Sequence, residues 1–203
     1  MKEKTVDLFE VNSDLLDLFK IANEIGWSEF REPSIHRILY LSSVLYSFMN
    51  KEDDLAYANY HFSLSLTGPY SEIIDRSITD LKRREIIIED KPGNLSIDFN
   101  NIKEIFSSEN SKIKWFRIIV YILGLYGEER VFGFVIQDPQ YIDDFQRNSQ
   151  KELDISDQNK TIDILNRFKI AFEETLNDVS EIDDREYLEL YFEYIFGKII
   201  KRN

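Results

Sequence analysis

Residues 68–99 constrain the fold of this chain more than any other stretch. Gly68-Pro69-Tyr70-Ser71 interrupts whatever precedes it, because proline fixes φ and lacks the N–H that a helix or ladder needs. Ser71 offers a capping oxygen, and Ile73, Ile74, Ile78 and Leu81 follow at three- and four-residue spacing. That pattern predicts an amphipathic helix over 71–85. Its acids come early (Glu72, Asp75) and its bases late (Lys82, Arg83, Arg84), as the helix dipole favours. Ile86-Ile87-Ile88 then switches to β-branched residues, Asp90 to Asn94 turns, and Leu95 to Phe99 alternates with period two. Helices, a capped helix and a hairpin, in that order, predict a winged helix-turn-helix.

Upstream, Asn12, Ser13 and Asp14 offer caps for a helix that Gly26 stops, and Pro33-Ser34 opens a second through about Met49. Tyr57 to Leu66 suggests an extended segment, with a helix as the alternative. Downstream the pattern is helical: 101–107, 111–126, 128–136, 139–149, 158–178 and 184–202, with Val131 to Ile136 readable instead as a short strand. Asp138-Pro139 is a strong helix start. The expected fold class is mainly α with a small β-hairpin wing. Residues 1–100 would form the N-terminal helices and winged-helix domain, and 101–203 a helical extension.

Composition removes much chemistry. With no cysteine, disulfides, thiolate catalysis and Cys-zinc sites are excluded. His36 and His61 are the only histidines, each in a setting typical of a packed or surface residue, and the nearby Ser42-Ser43 and Ser63 to Ser65 lack an adjacent acid–base pair. Glu89-Asp90-Lys91 matches the E-x-K element of restriction-type nucleases, but Asp75 and Asp80 fall on a predicted helix and the triplet on the wing turn. The chain is read as a non-enzyme with no cofactor or metal of its own. No basic-then-apolar leader opens it, and Ile113 to Leu125 is too short to span a bilayer, so a cytoplasmic protein without membrane contact is expected.

Charge bears on partners. The net charge is −13, which repels nucleic acid on average. The helix before the wing would read DNA through Arg76, Lys82, Arg83 and Arg84, with Lys91 on the wing. Residues 71–91 nevertheless hold six acids against five bases. Residues 138–193 carry 16 Asp and Glu against 6 Lys and Arg, an acidic face suited to a basic partner. Wing residues Ile87 and Leu95 and the last-helix aromatics Tyr187, Tyr191 and Tyr194 are the candidate partner contacts.

Ser34-Ile35-His36-Arg37-Ile38-Leu39-Tyr40-Leu41, then Tyr60-His61-Phe62, then Gly68-Pro69-Tyr70-Ser71 with the capped helix and hairpin, form an ordered series. Over residues 34–100 it resembles small bacterial winged-helix proteins with a GPYS-type element before the second helix. These include Panacea-type antitoxin relatives and the middle components of three-component ABC ATPase systems. The latter are similar to the small accessory subunit of Lamassu-type anti-phage defence. The resemblance implies a non-catalytic subunit that binds a large SMC/ABC-type ATPase and an effector such as a nuclease, nucleotide and Mg²⁺ belonging to the partner. The other reading is a winged-helix DNA-binding regulator or antitoxin.

Overall fold

The computed structural model describes residues 8–50, 56–91, 93–102, 110–147, 152–175 and 182–200. Helix α1 (Leu8–Glu24) buries Val11, Leu15, Leu18, Phe19 and Ala22 along one side. Asn12, Ser13 and Asp14, expected to cap it, lie inside it instead. Asn12 is buried against α3 (Glu72–Arg83), where it accepts a hydrogen bond from Ser77 Oγ and donates to Asp80 Oδ2 at 3.0 Å. Gly26 ends α1 as expected. At φ 83 it lets the Trp27 N–H reach the Ala22 carbonyl and its own N–H reach that of Asn23.

Strand β1 (Phe30–Arg31) leads into α2 (Glu32–Met49), with Pro33 preset in the first turn. Ile35, Ile38, Leu39, Tyr40, Leu41, Val44 and Leu45 are all buried, so α2 is covered on nearly every side. The expected extended segment 57–66 is in part a turn, and pairing begins only in the hairpin of β2 (Ser63–Ser65) and β3 (Gly68–Tyr70). Helix α3 (Glu72–Arg83) follows, then β4 (Ile87–Lys91) and β5 (Asn94–Ile97). The second sheet is antiparallel in the order β1-β5-β4, with Phe30 opposite Leu95 and Ile87 opposite Ile97.

After β5 a 3-10 turn, Phe99–Asn101, occupies the start of the expected helix 101–107, whose remainder from 103 lies outside the described residues. Helix α4 (Ser111–Val135) is capped by Asn110, which accepts from the Ile113 N–H at 2.9 Å. It breaks at Gly127, where φ 75 and ψ 167 leave the helical region. Residues 131–135 are helical, which settles the strand alternative for them. Helices α5 (Pro139–Gln146), α6 (Lys160–Thr175) and α7 (Asp184–Ile200) complete the chain.

The molecule is mainly helical with two small antiparallel sheets, in agreement with the expected class. Helix α4 packs on both α1 and α2, and α7 packs on α4. Trp115 on α4 donates its indole N–H to the Ser42 carbonyl at 2.9 Å, locking α4 to α2. Buried apolar residues before and after residue 100 join one continuous cluster. Among the described residues no helix is long and apolar enough to cross a membrane.

Candidate functional site

The Gly68-Pro69-Tyr70-Ser71 element is fastened to α2 by two consecutive side chains. Arg37 donates from Nε and Nη2 to the Thr67 carbonyl, at 3.0 and 2.7 Å, while its guanidinium lies 4.4 Å from the Phe132 ring centre. His36 is buried, stacks on Tyr70 at 5.1 Å, and accepts the Ser71 N–H on Nδ1 at 3.1 Å. Burial pushes its pKa down to about 4, Arg37 adding to this and Asp75 opposing it. Nδ1 is therefore a free acceptor at neutral pH. Ser71 sits at the cap position of α3, but its hydroxyl makes no capping bond; the imidazole takes the N–H of Ser71 itself, the donor that a capping-box side chain would bind from the position held here by Ile74. His36 is thus a packed structural residue.

The α3–wing face is largely self-neutralised. Arg83 pairs with Asp80 at 2.6 Å, and Arg84 reaches the same carboxylate at 3.5 Å. Burial pulls the Asp80 pKa up, but hydrogen bonds from Asn12 and Arg83 outweigh it and hold the carboxyl below its usual range. Lys82 binds Glu89 at 3.0 Å and lies 3.8 Å from Glu32. Glu89 also accepts the Gly93 N–H at 2.8 Å, and this bond and Lys82 lower its pKa. Asp90 accepts from Ser96 at 3.1 Å. Arg76 is exposed and forms no ion pair among the described residues; the Lys91 side chain lies outside them. Of the expected DNA-contacting set, three of five are committed to carboxylates of the same face.

Four of the five expected partner contacts belong to the core. Ile87, Leu95, Tyr187 and Tyr191 are buried, and only Tyr194 is open to solvent. The alternation along β4 and β5 turns Ile87 and Leu95 inward. Tyr191 packs edge-on to Phe134 and Phe168, and Tyr187 edge-on to Phe172, joining α7 to α4 and α6. The wing instead exposes Ile88.

Asp138 joins three helices. Its buried carboxylate accepts from Tyr40 Oη at 2.8 Å on α2, from Thr161 Oγ1 at 2.5 Å on α6, and from the Tyr141 N–H at 2.9 Å in α5. Burial raises its pKa, and these three donors oppose the rise. A second buried carboxylate, Asp14, takes Lys112 Nζ at 2.6 Å and Tyr60 Oη at 2.7 Å, with Lys112 lying 4.7 Å from the Tyr57 ring centre. Burial pushes Asp14 up to about 6 against the pull of Lys112.

A cavity of about 620 Å³ opens between α2, residues 57–60 and residues 152–157. Ser43 and Ser47 line one wall and Glu152, Asp154 and Asp157 the other. The Glu152 carboxylate meets His61 Nδ1. Ser43 spends its hydroxyl on the Leu39 and Tyr40 carbonyls, Ser63 on that of Tyr70, and Ser65 on that of Gly68. Among the described residues no three carboxylate or imidazole groups are placed to hold a metal ion. No protein-family model, curated protein or solved structure matches the chain.

The exposed apolar residues escaped sequence reasoning. Leu66, Phe145 and Leu125 stand well out of the surface, and none falls in a periodic pattern that marks it as external. The Arg37 and His36 contacts were equally hidden, because their partners lie 30 and 35 residues away.

Proposed function

We propose that the chain is a winged-helix adaptor, a non-catalytic subunit that works by binding other proteins in the cytoplasm. The element order α1-β1-α2-α3-β4-β5 and the β1-β5-β4 sheet support the winged-helix reading. The hairpin β2–β3 is an insertion between its second and third helices. By the resemblance over residues 34–100, the partners are a large SMC/ABC-type ATPase and the effector it controls in an anti-phage complex.

The observation that carries the adaptor reading over a DNA-binding one is the charge pairing of α3. Phosphate contact needs lysine and arginine side chains free to replace counterions. Here Lys82, Arg83 and Arg84 are held by Asp80 and Glu89, and a duplex approaching the wing would also meet Asp90. Titration of labelled duplex DNA with the full chain tests this. No salt-sensitive shift is expected at physiological ionic strength. A shift that weakens with salt and is lost in Arg83→Glu would favour the regulator reading.

A further inference from the structure

The cavity between α2, residues 57–60 and residues 152–157 has a volume of about 620 Å³, enough for a small organic molecule. The charged residues on its lining are all acids: Glu152, Asp154 and Asp157. Acids elsewhere are neutralised by their own neighbours, Asp80 by Arg83 and Arg84 and Asp143 by Arg147 and Lys160. Among the described residues these three pair with no lysine or arginine: Asp154 accepts the Ser156 N–H at 2.8 Å, Asp157 accepts from Gln158 Nε2 at 3.2 Å, and Glu152 meets His61 Nδ1. A carboxylate has about four acceptor positions, so each keeps most of its capacity.

The remaining wall is aromatic. Tyr46 meets Tyr57 edge-on with ring centres 5.3 Å apart, and Tyr57 lies 5.6 Å from Tyr60. Tyr57 and Tyr60 already hold one ammonium: Lys112 Nζ, which comes from α4 and does not line the cavity, lies 4.7 and 5.6 Å from their ring centres. The lining also carries hydroxyls that the fold leaves unused. Tyr57 Oη and Ser47 Oγ are buried without a hydrogen-bond partner, and native proteins leave few such groups unpaired.

We infer that this cavity binds a small alkylammonium ion of the diamine or polyamine class. The carboxylates supply countercharge and accept the ammonium N–H groups, while the tyrosine faces take the methylenes and part of the charge. With three acids and no base on the lining, an anion is repelled. Among the described residues no three carboxylate or imidazole groups are placed to hold a bare metal ion, which leaves an organic cation as the occupant. The inference goes beyond the adaptor reading and depends neither on the ATPase nor on the wing.

The test is calorimetric titration of the full chain with putrescine at physiological ionic strength. One saturable site is expected, with no binding of butanediol, which has the same carbon chain without the charge. Magnesium chloride at equal ionic strength should not displace the amine. Asp154→Asn and Asp157→Asn should each weaken binding by about tenfold, with unchanged circular dichroism, since both side chains are exposed. Glu174→Gln, at an exposed acid on α6 that does not line the cavity, should leave it intact. In the wild type, putrescine should slow amide exchange in residues 57–60 and 152–157. No saturable binding, equal binding of butanediol, or displacement by magnesium overturns the inference. So does equal weakening by Glu174→Gln, because the amine then answers to net charge and not to the cavity. Binding that leaves exchange in both segments unchanged overturns it as well.

Discussion

His36 Nδ1 accepts the backbone N–H of Ser71 at 3.1 Å, so a buried neutral imidazole binds the N-cap donor that a capping-box side chain would take at the start of α3, where this chain has Ile74 instead. The arrangement holds only while Nδ1 is unprotonated. It gives the GPYS element a structural reason to follow a histidine on α2.

The first prediction concerns pH. The unfolded imidazole titrates near 6.5 and the folded one near 4. Between those values the unfolded state binds the extra proton, and stability falls as pH falls, by up to about 3 kcal/mol. Asp14 acts in the opposite sense. Its folded pKa of about 6 lies above the unfolded 3.8, so its contribution is lost as pH rises through 6 and regained on acidification. The two offset each other over the same window. Urea melts from pH 7 to 4 should show His36→Gln gaining on the wild type as pH falls, and Asp14→Asn losing. Parallel profiles for all three proteins would contradict these assignments.

Asp138 should be among the costliest polar positions to change. Asp138→Ala strands the Tyr40 and Thr161 hydroxyls and the Tyr141 N–H in the interior, a loss of about 2–5 kcal/mol. Tyr40→Phe, which removes one donor, should cost about 1 kcal/mol. A cycle of Tyr40→Phe with Thr161→Val, followed by chemical denaturation, should show coupling through the shared carboxylate. Additive losses would mean the two donors act independently.

Glu85 is the one non-glycine residue at positive φ among the described residues, at φ 57, and it ends α3 with its N–H on the Lys82 carbonyl. Glycine takes this left-handed geometry without the Cβ clash. Glu85→Gly is therefore expected to stabilise the protein by about 0.5–1 kcal/mol, visible as a higher Tm. A lower Tm would show that the Glu85 side chain contributes more than its backbone strain costs.

The hairpin should loosen without unfolding the protein when its clamp is weakened. Arg37→Lys keeps the charge but loses the planar fork that reaches the Thr67 carbonyl twice. Amide exchange in residues 63–70 should quicken while exchange in α4 stays slow. Gly68→Ala should be worse, because φ 113 disfavours any side chain and the new Cβ would lie 3.4 Å from Arg37 Nε. Uniform acceleration across the chain would show instead that the clamp supports the whole fold.

What the sequence revealed depended on whether the signal was local. The period of Ile73, Ile74, Ile78 and Leu81 and the turn at 90–94 located α3 and the wing, because both patterns lie within a few residues. The gap between the expected helices 111–126 and 128–136 coincides with the break of α4 at Gly127. Asn12 and Asp14 were read as caps because short polar residues before an apolar run resemble a helix start; their partners, Ser77, Asp80, Tyr60 and Lys112, lie far along the chain. Helical spacing of Tyr187 and Tyr191 identified a stripe but not whether it faced solvent or core. Leu66 sits alone in a hairpin tip, where no periodicity distinguishes an exposed leucine from a buried one.

Purification of the tagged full chain from its native cells at moderate salt, with mass spectrometry of the bound chains, tests the adaptor assignment most directly. A large coiled-coil ATPase in fixed ratio is expected, retained in Arg83→Glu. Enrichment of promoter DNA with no protein partner, lost in Arg83→Glu, would contradict it and make α3 a reading helix after all.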